Sequence, residues 1–426
     1  MVKLIREFAS YPGIKQLGPG LVTGAADDDP SGIATYSQAG AQFGFNMLWT
    51  VVFTYPLMVS IQMVSARLGC ITGKGLAANI KALFPRPVLY GIVGLLLVAN
   101  TINIAADIAA MGEAMRLLLG GSARFYSVII GLLCLGLQVY LRYEQYVGYL
   151  KWLTLALLSY VAVVFTVHVA WGEVVRQLAF PRFELNHETI LIIVAVFGTT
   201  ISPYLFFWQA AQEMEDLRSL SGRTGSAVLP HGERVARQHL RRIRWDTYLG
   251  MGFSNLVAFF IILSAAATLH QAGIANIETS AQAAEALRPL GGPATFLLFT
   301  LGIVGTGMLA VPVLAGSAAY AVTESFDWQT GLDMRLHEAK EFYAIIALAT
   351  FGGVLLNFTK LDPIRALLWS ADINCVIAVP IMAVMMRLGT DPKIMGAFAI
   401  RSRLRDLGWA ATALMGLTVG AMFVTW

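Results

Sequence analysis

The 426-residue chain is 57% hydrophobic and 13% charged, with a mean hydropathy of +0.66. Ordinary globular domains carry about 25% charged residues, so the composition excludes a soluble domain and predicts an all-α polytopic membrane protein. The net charge of +4 reads as a signal of membrane orientation and excludes nucleic-acid binding as its explanation.

In chain order, apolar runs long enough to cross a hydrocarbon core as helices predict eleven crossings, at 18–43, 46–66, 88–119, 125–141, 146–170, 188–216, 246–267, 292–322, 341–357, 362–386 and 406–425. The opening residues "MVKLIREFASYPGIK" lack a long apolar core and a small-residue cleavage site, so no signal peptide is expected. Cys70, Cys134 and Cys375 are scattered and suggest neither a disulfide framework nor a metal site. No soluble domain or low-complexity segment interrupts the chain, which reads as a single transmembrane domain over 1–426.

Placing the N-terminus in the cytoplasm and the C-terminus outside puts 23 of the 30 Lys and Arg residues on the cytoplasmic side. The other seven are Arg116, Arg124, Arg176, Arg182, Arg288, Lys360 and Arg365. The basic loop 217–245 alone supplies Arg218, Arg223, Arg234, Arg237, Arg241, Arg242 and Arg244, read chiefly as topology signal, with a partner or anionic lipid as the alternative.

The first and sixth crossings are interrupted alike, at "DDDPSG" (27–32) and "GTTISPY" (198–204), with Pro30 and Pro203 in the same relative place. Each opens a block of five crossings, and the charge pattern gives the two blocks opposite orientations. Paired interruptions in inverted halves point to a transporter site at the membrane midplane, where proline unwinds each helix and frees carbonyls. The bland reading is two kinked helices. Three carboxylates beside one kink argue against it, because acids inside a membrane are expensive and line ion or substrate paths.

Asp27, Asp28 and Asp29 have no basic residue within either broken helix to balance them, so a cation is expected. Thr199, Thr200 and Ser202 add oxygen donors beside Pro203, and such hard ligands suit Mg²⁺, Mn²⁺ or Ca²⁺. In the tenth crossing, "WSADINC" (369–375) places Asp372 and Asn374 in an apolar span. Asp372 reads as part of the site; Asn374 reads equally as a path residue or as a hydrogen bond between helices. The six histidines sit near predicted ends or in loops, and no nucleophile–base pair or phosphate loop appears, so an enzyme is not expected.

"GPG" at 18–20, "DP" at 29–30, "ATYSQAGAQFGF" and "LW" at 48–49 resemble the first helix of the Nramp divalent-metal transporters, and "GTTISPY" has the position and shape of that family's sixth-helix motif. The resemblance covers nearly the whole chain. It implies a LeuT-type fold: two inverted five-helix repeats, about 16–172 and 187–388, plus an eleventh helix at about 406–425. It also implies that Asp29 is the ligand carboxylate, that the carbonyls of Ala26 and Thr199 are ligands, and that Asp372 stands at the tenth-helix position near the metal.

The departures from the family pattern define the site further. Its Asp-Pro-Gly-Asn motif reads Asp29-Pro30-Ser31-Gly32 here, so Gly32 replaces a ligand asparagine. The sixth-helix methionine falls on Ser202 and the following histidine on Tyr204. The third-helix acids implicated in proton movement fall on Ile104 and Asp107. These replacements resemble the Nramp-related magnesium transporter branch. Loss of the soft thioether and a wider, all-oxygen site suit an ion that keeps several waters.

The expected function is therefore transport of Mg²⁺ and Mn²⁺ as substrates with weak or no proton coupling, since Ile cannot titrate and Tyr titrates only near about 10. The metal set is Asp29, Ala26, Gly32, Thr199, Ser202 and Asp372, with Asp27, Asp28, Asn374, Tyr204 and Asp107 along the path. The expected partners are the metal ion and the lipid bilayer, with no cofactor and no obligate protein partner evident. Proton-coupled Mn²⁺ or Fe²⁺ uptake is the first alternative, and a sodium-coupled organic-solute symporter is the second.

Overall fold

The computed structural model describes residues 19–140, 153–182, 186–220, 233–359 and 362–425. Among these the regular structure is entirely helical: α1 (Pro19–Asp27), α2 (Pro30–Phe43), α3 (Leu48–Thr72), α4 (Leu76–Leu83), α5 (Arg86–Leu119), α6 (Ala123–Tyr140), α7 (Leu158–Val163), α8 (Trp171–Ala179), α9 (His187–Thr200), α10 (Pro203–Leu220), α11 (Glu233–Ala265), α12 (Thr295–Ser325), α13 (Lys340–Leu356), α14 (Pro363–Thr390) and α15 (Arg403–Thr425), with short turns between. Ten of the eleven predicted crossings are met by these helices. For the fifth, 146–170, residues 146–152 lie outside the described residues; its described part contains a 3₁₀ turn, Leu153–Leu157, and the short α7.

Both predicted interruptions are present and alike. Asp28 and Asp29 separate α1 from α2, and Ile201 and Ser202 separate α9 from α10. In each case the break ends on the residue before a proline, which is steered away from helical angles. The proline then takes the first position of the next helix, where its missing N–H costs nothing.

The basic segment 217–245 is not all loop. Although 221–232 lie outside the described residues, α11 begins at Glu233 and carries the arginines from 234 to 244 as a helical extension of the seventh crossing. A polar stretch can stay helical outside the hydrocarbon when its side chains find partners. Arg242 does so, bonding Asp216 at 2.7 Å and also reaching Glu213, both on α10.

The broken helices occupy the centre. Within the most apolar window of 187–218, 89% is buried inside the protein, against 28% for both α6 and α15, which form the rim. Cys70, Cys134 and Cys375 are free, buried thiols.

Candidate metal centre

The two interruptions face each other. A side-chain carbon at Gly32 would stand 3.1 Å from Thr199 Oγ1 and 3.5 Å from the Asp27 carbonyl oxygen, so the start of α2 is pressed against the end of α9. Tyr36 and Thr200 share a hydroxyl–hydroxyl hydrogen bond of 3.1 Å across the same junction. The Tyr204 hydroxyl, from α10, donates to the Ala26 carbonyl at 3.3 Å and to Asp29 Oδ2 at 3.4 Å. The Ala26 and Asp29 oxygens thus lie around one point.

Asp29 is the N-cap of α2. Its Oδ1 accepts from the Gly32 amide at 2.7 Å and from Ser31 Oγ at 2.6 Å, which leaves Oδ2 turned toward Tyr204. The cap removes a donor that would be orphaned at a helix start and fixes the carboxylate's direction. Across the gap, Ser202 Oγ donates to the carbonyls of Gly198 at 3.1 Å and Thr199 at 2.9 Å, bringing the Ser202 hydroxyl beside the Thr199 carbonyl oxygen.

The three consecutive aspartates do not share one set of hydrogen-bond partners. Asp27 Oδ2 and Asp28 Oδ1 both accept from Ser254 Oγ of α11, at 2.7 and 3.2 Å, and their other oxygens have no hydrogen-bond partner among the described residues. Among the described residues no group of three or more Asp, Glu, His or Cys side chains forms a ready metal cluster. The donor set around Asp29 is a mixed one of carboxylate, carbonyl and hydroxyl oxygens.

Asp107 of α5 is fully buried, lies within electrostatic range of Asp29 and faces the Ser31 backbone amide, without a hydrogen bond of good geometry on either carboxylate oxygen among the described residues. One turn earlier, Asn103 donates to Asn374 Oδ1 at 3.1 Å. Asn374 therefore bridges α14 to α5, while its own amide nitrogen has no partner among the described residues. Asp372 is half-buried, and its Oδ1 likewise has no partner among the described residues. Its helix packs on the site, since a Cβ at Gly198 would meet the Ala371 carbonyl at 1.9 Å. No hydrogen bond joins Asp372 to either interruption among the described residues.

The electrostatic balance is one-sided. Asp27, Asp28, Asp29 and Asp107 are at most 1% exposed, and no Lys, Arg or His of the described residues is buried to the same class. Four carboxylates without a basic partner in the interior need a cation or protons. The residues of both interruptions are buried. A cleft of about 580 Å³ between α5, α6, α13 and α14, lined among others by Glu113, Trp369 and Ile373, includes no residue of either interruption.

Sequence reasoning missed what holds α1 in place. Gly20 N donates to Asp246 Oδ2 at 2.7 Å, a Cβ on Gly24 would fall 2.2 Å from the Gly250 carbonyl oxygen, and Ser254 binds Asp27 and Asp28. The paired positions ascend together, so α1 and α11 run parallel. The signal is present as Asp246–Gly250–Ser254, a stripe at four-residue spacing on one helix face. A second polar line runs from Thr23 through Gln209 and Glu213 to Arg242.

The whole-chain comparisons fit this architecture. The family model described as natural resistance-associated macrophage protein-like matches residues 20–425. The chain belongs to the Nramp family. A divalent metal cation transporter, MntH, of Klebsiella pneumoniae is 28% identical over 413 residues, covering 94% of this chain and 91% of that protein. The crystal structure of a manganese transporter from Eremococcus coleocola matches with a TM-score of 0.73 at 17% identity, covering 95% of this chain and 85% of that one. Mhp1, a nucleobase-cation-symport-1 family transporter, matches with a TM-score of 0.56 at 14% identity, covering 96% and 92%. These structural likenesses establish the LeuT-type fold, with inverted five-helix repeats and an eleventh helix. Family membership makes the chain a multi-pass membrane transporter and not an enzyme.

Proposed function

We propose that the chain carries divalent metal cations by alternating access, with partly hydrated Mg²⁺ and Mn²⁺ as its ions and weak or no coupling to protons. The observation that carries this reading is the set of four buried carboxylates with no buried basic partner among the described residues, gathered where two broken helices meet. Asp29 Oδ2, the Ala26 and Thr199 carbonyls and the Ser202 hydroxyl supply oxygens, and Gly32 withholds a side chain. Such a site offers few direct ligands, all hard, which suits an ion reluctant to shed water. Asp372 acts from α14, and Asp27, Asp28, Asp107, Asn374 and Tyr204 line the path. The arginine-rich side faces the cytoplasm, which puts the N-terminus inside and the C-terminus outside.

Proton-coupled Mn²⁺ or Fe²⁺ uptake is the second reading, and Asp107 favours it. A buried carboxylate near Asp29, held by no hydrogen bond of good geometry among the described residues and facing the Ser31 amide, has the placing of a proton carrier. The test of the shared core is ion uptake into liposomes by the Asp29→Ala and Asp29→Asn variants. Loss of uptake with an unchanged elution profile supports Asp29 as the central ligand. Uptake at the wild-type rate removes it from the site.

A further inference from the structure

On the arginine-rich side of the protein a cleft of about 350 Å³ is lined by Arg67, Arg237, Arg241 and Arg244, with Leu240 and Phe398 as apolar walls. Three separate parts of the chain converge here: the end of α3, the start of α11 and the connection before α15. Among the described residues no acidic side chain lines the cleft, and Arg67, Arg241 and Arg244 form no salt bridge. Arg67 Nε is buried with no hydrogen-bond partner among the described residues, and Arg67 and Arg244 are close enough to repel one another.

A plain topology signal does not require this arrangement. Charge that only sets orientation needs to stand on the right side of the membrane, dispersed in water. Here α11 sorts its arginines by face. Arg242 turns to Glu213 and Asp216, while Arg237, Arg241 and Arg244, spaced four and three apart, form one stripe on the cleft. Farther along the same helix the exposed residues become Trp245, Tyr248, Leu249 and Leu256. Aromatic side chains followed by aliphatic ones mark the passage from headgroup level into acyl chains. The cleft therefore opens where lipid phosphates lie.

We propose that this cleft binds a phosphate group between the guanidiniums of Arg67, Arg241 and Arg244, with the headgroup of an anionic phospholipid as its ligand. Planar guanidiniums bind phosphate oxygens in pairs, and the anion relieves the repulsion between Arg67 and Arg244. Leu240 and Phe398 provide the apolar contact that an acyl chain extends. Because α11 also holds α1 through Asp246, Gly250 and Ser254, an occupied cleft steadies the helix against which the inner half of the first crossing is zipped.

The test is native mass spectrometry of the purified full chain with dioleoyl phosphatidylglycerol, phosphatidylcholine or inorganic phosphate added. The Arg67→Gln/Arg244→Gln pair is compared with Arg403→Gln/Arg405→Gln, which removes as much charge outside the cleft. Each cleft arginine removed is expected to weaken phosphatidylglycerol retention by about five-fold, and the control pair to leave it near wild type. Retention of phosphatidylglycerol that inorganic phosphate does not displace supports the lipid headgroup. Displacement at millimolar phosphate supports the same cleft as a site for a soluble phosphate. Equal losses in both pairs, or no preference for phosphatidylglycerol over phosphatidylcholine by the wild type, overturn the proposal. The wild-type preference is read without any variant, so a poorly folding mutant does not decide the matter.

Discussion

Thr199 Oγ1 stands 3.1 Å from the place where a side chain at Gly32 would begin. The glycine at the start of α2 and the threonine at the end of α9 are therefore fitted to each other. A side chain at position 32 requires that hydroxyl to give by about a few tenths of an ångström.

On the proposed reading, ion preference depends on this pair together with Ser202. Ser202→Met supplies a soft thioether, Gly32→Asn adds an amide ligand, and Thr199→Ala removes the hydroxyl that the new side chain crowds. The Thr199 carbonyl survives that substitution. The triple variant is expected to shift competition toward Mn²⁺ and Cd²⁺ at the expense of Mg²⁺, and Gly32→Asn alone to lose uptake of every ion. Competition uptake with mixed ions reads both outcomes; an unchanged Mg²⁺/Mn²⁺ ratio in the triple variant excludes ligand softness as the determinant.

Gly24 sets how tightly α1 closes on α11. A methyl at that position would lie 2.2 Å from the Gly250 carbonyl oxygen, so Gly24→Ala forces the helices apart. Overpacking of this kind costs about 1–3 kcal/mol. The expected result is a lower unfolding temperature, together with faster labelling of a cysteine placed at Thr23 from the cytoplasmic side. Labelling at the wild-type rate shows that the contact with α11 does not control access to this part of α1.

On the proposed reading, Asp372 acts on the metal from a distance. It makes no hydrogen bond to either interruption among the described residues, yet its helix presses on Gly198. Asp372→Asn is expected to weaken metal binding by about ten-fold, the low end of what loss of an outer-shell partner costs, and to leave transport measurable. Calorimetric titration with Mn²⁺ checks it, and equal affinity returns Asp372 to a packing role.

Asp107 separates the two transport readings. If protons do not accompany the ion, Asp107→Asn keeps the shape of the pH dependence of uptake and lowers its rate at most a few-fold. If Asp107 carries the proton, uptake in the variant loses its response to an imposed pH gradient. The pH profile is informative here because a packing role for Asp107 does not predict its change.

Much of the fold was legible because its signals are local. Apolar runs set the crossings, and the Asp29-Pro30 and Ser202-Pro203 steps marked both breaks to within a residue. The helical form of 233–245 was hidden, because polarity there reads as loop until Arg242 is seen to meet Glu213 and Asp216. The candidate site could be read as a list of possible donors but not as a geometry. That Asp27 and Asp28 turn to Ser254 while Asp29 caps its own helix depends on which helix lies alongside, and consecutive letters do not carry that. The Asp246–Gly250–Ser254 stripe acquires meaning only beside Gly20 and Gly24.

The central claim, facilitated passage of Mg²⁺ through an oxygen-only site, is tested most directly with the purified protein in liposomes that hold a magnesium indicator and a pH-sensitive dye together. An inward Mg²⁺ gradient is predicted to produce Mg²⁺ influx without matching acidification, at a rate insensitive to an imposed pH gradient, with Mn²⁺ competing for entry. No Mg²⁺ influx, with Mn²⁺ or Fe²⁺ entering alongside proportional acidification, would contradict the account.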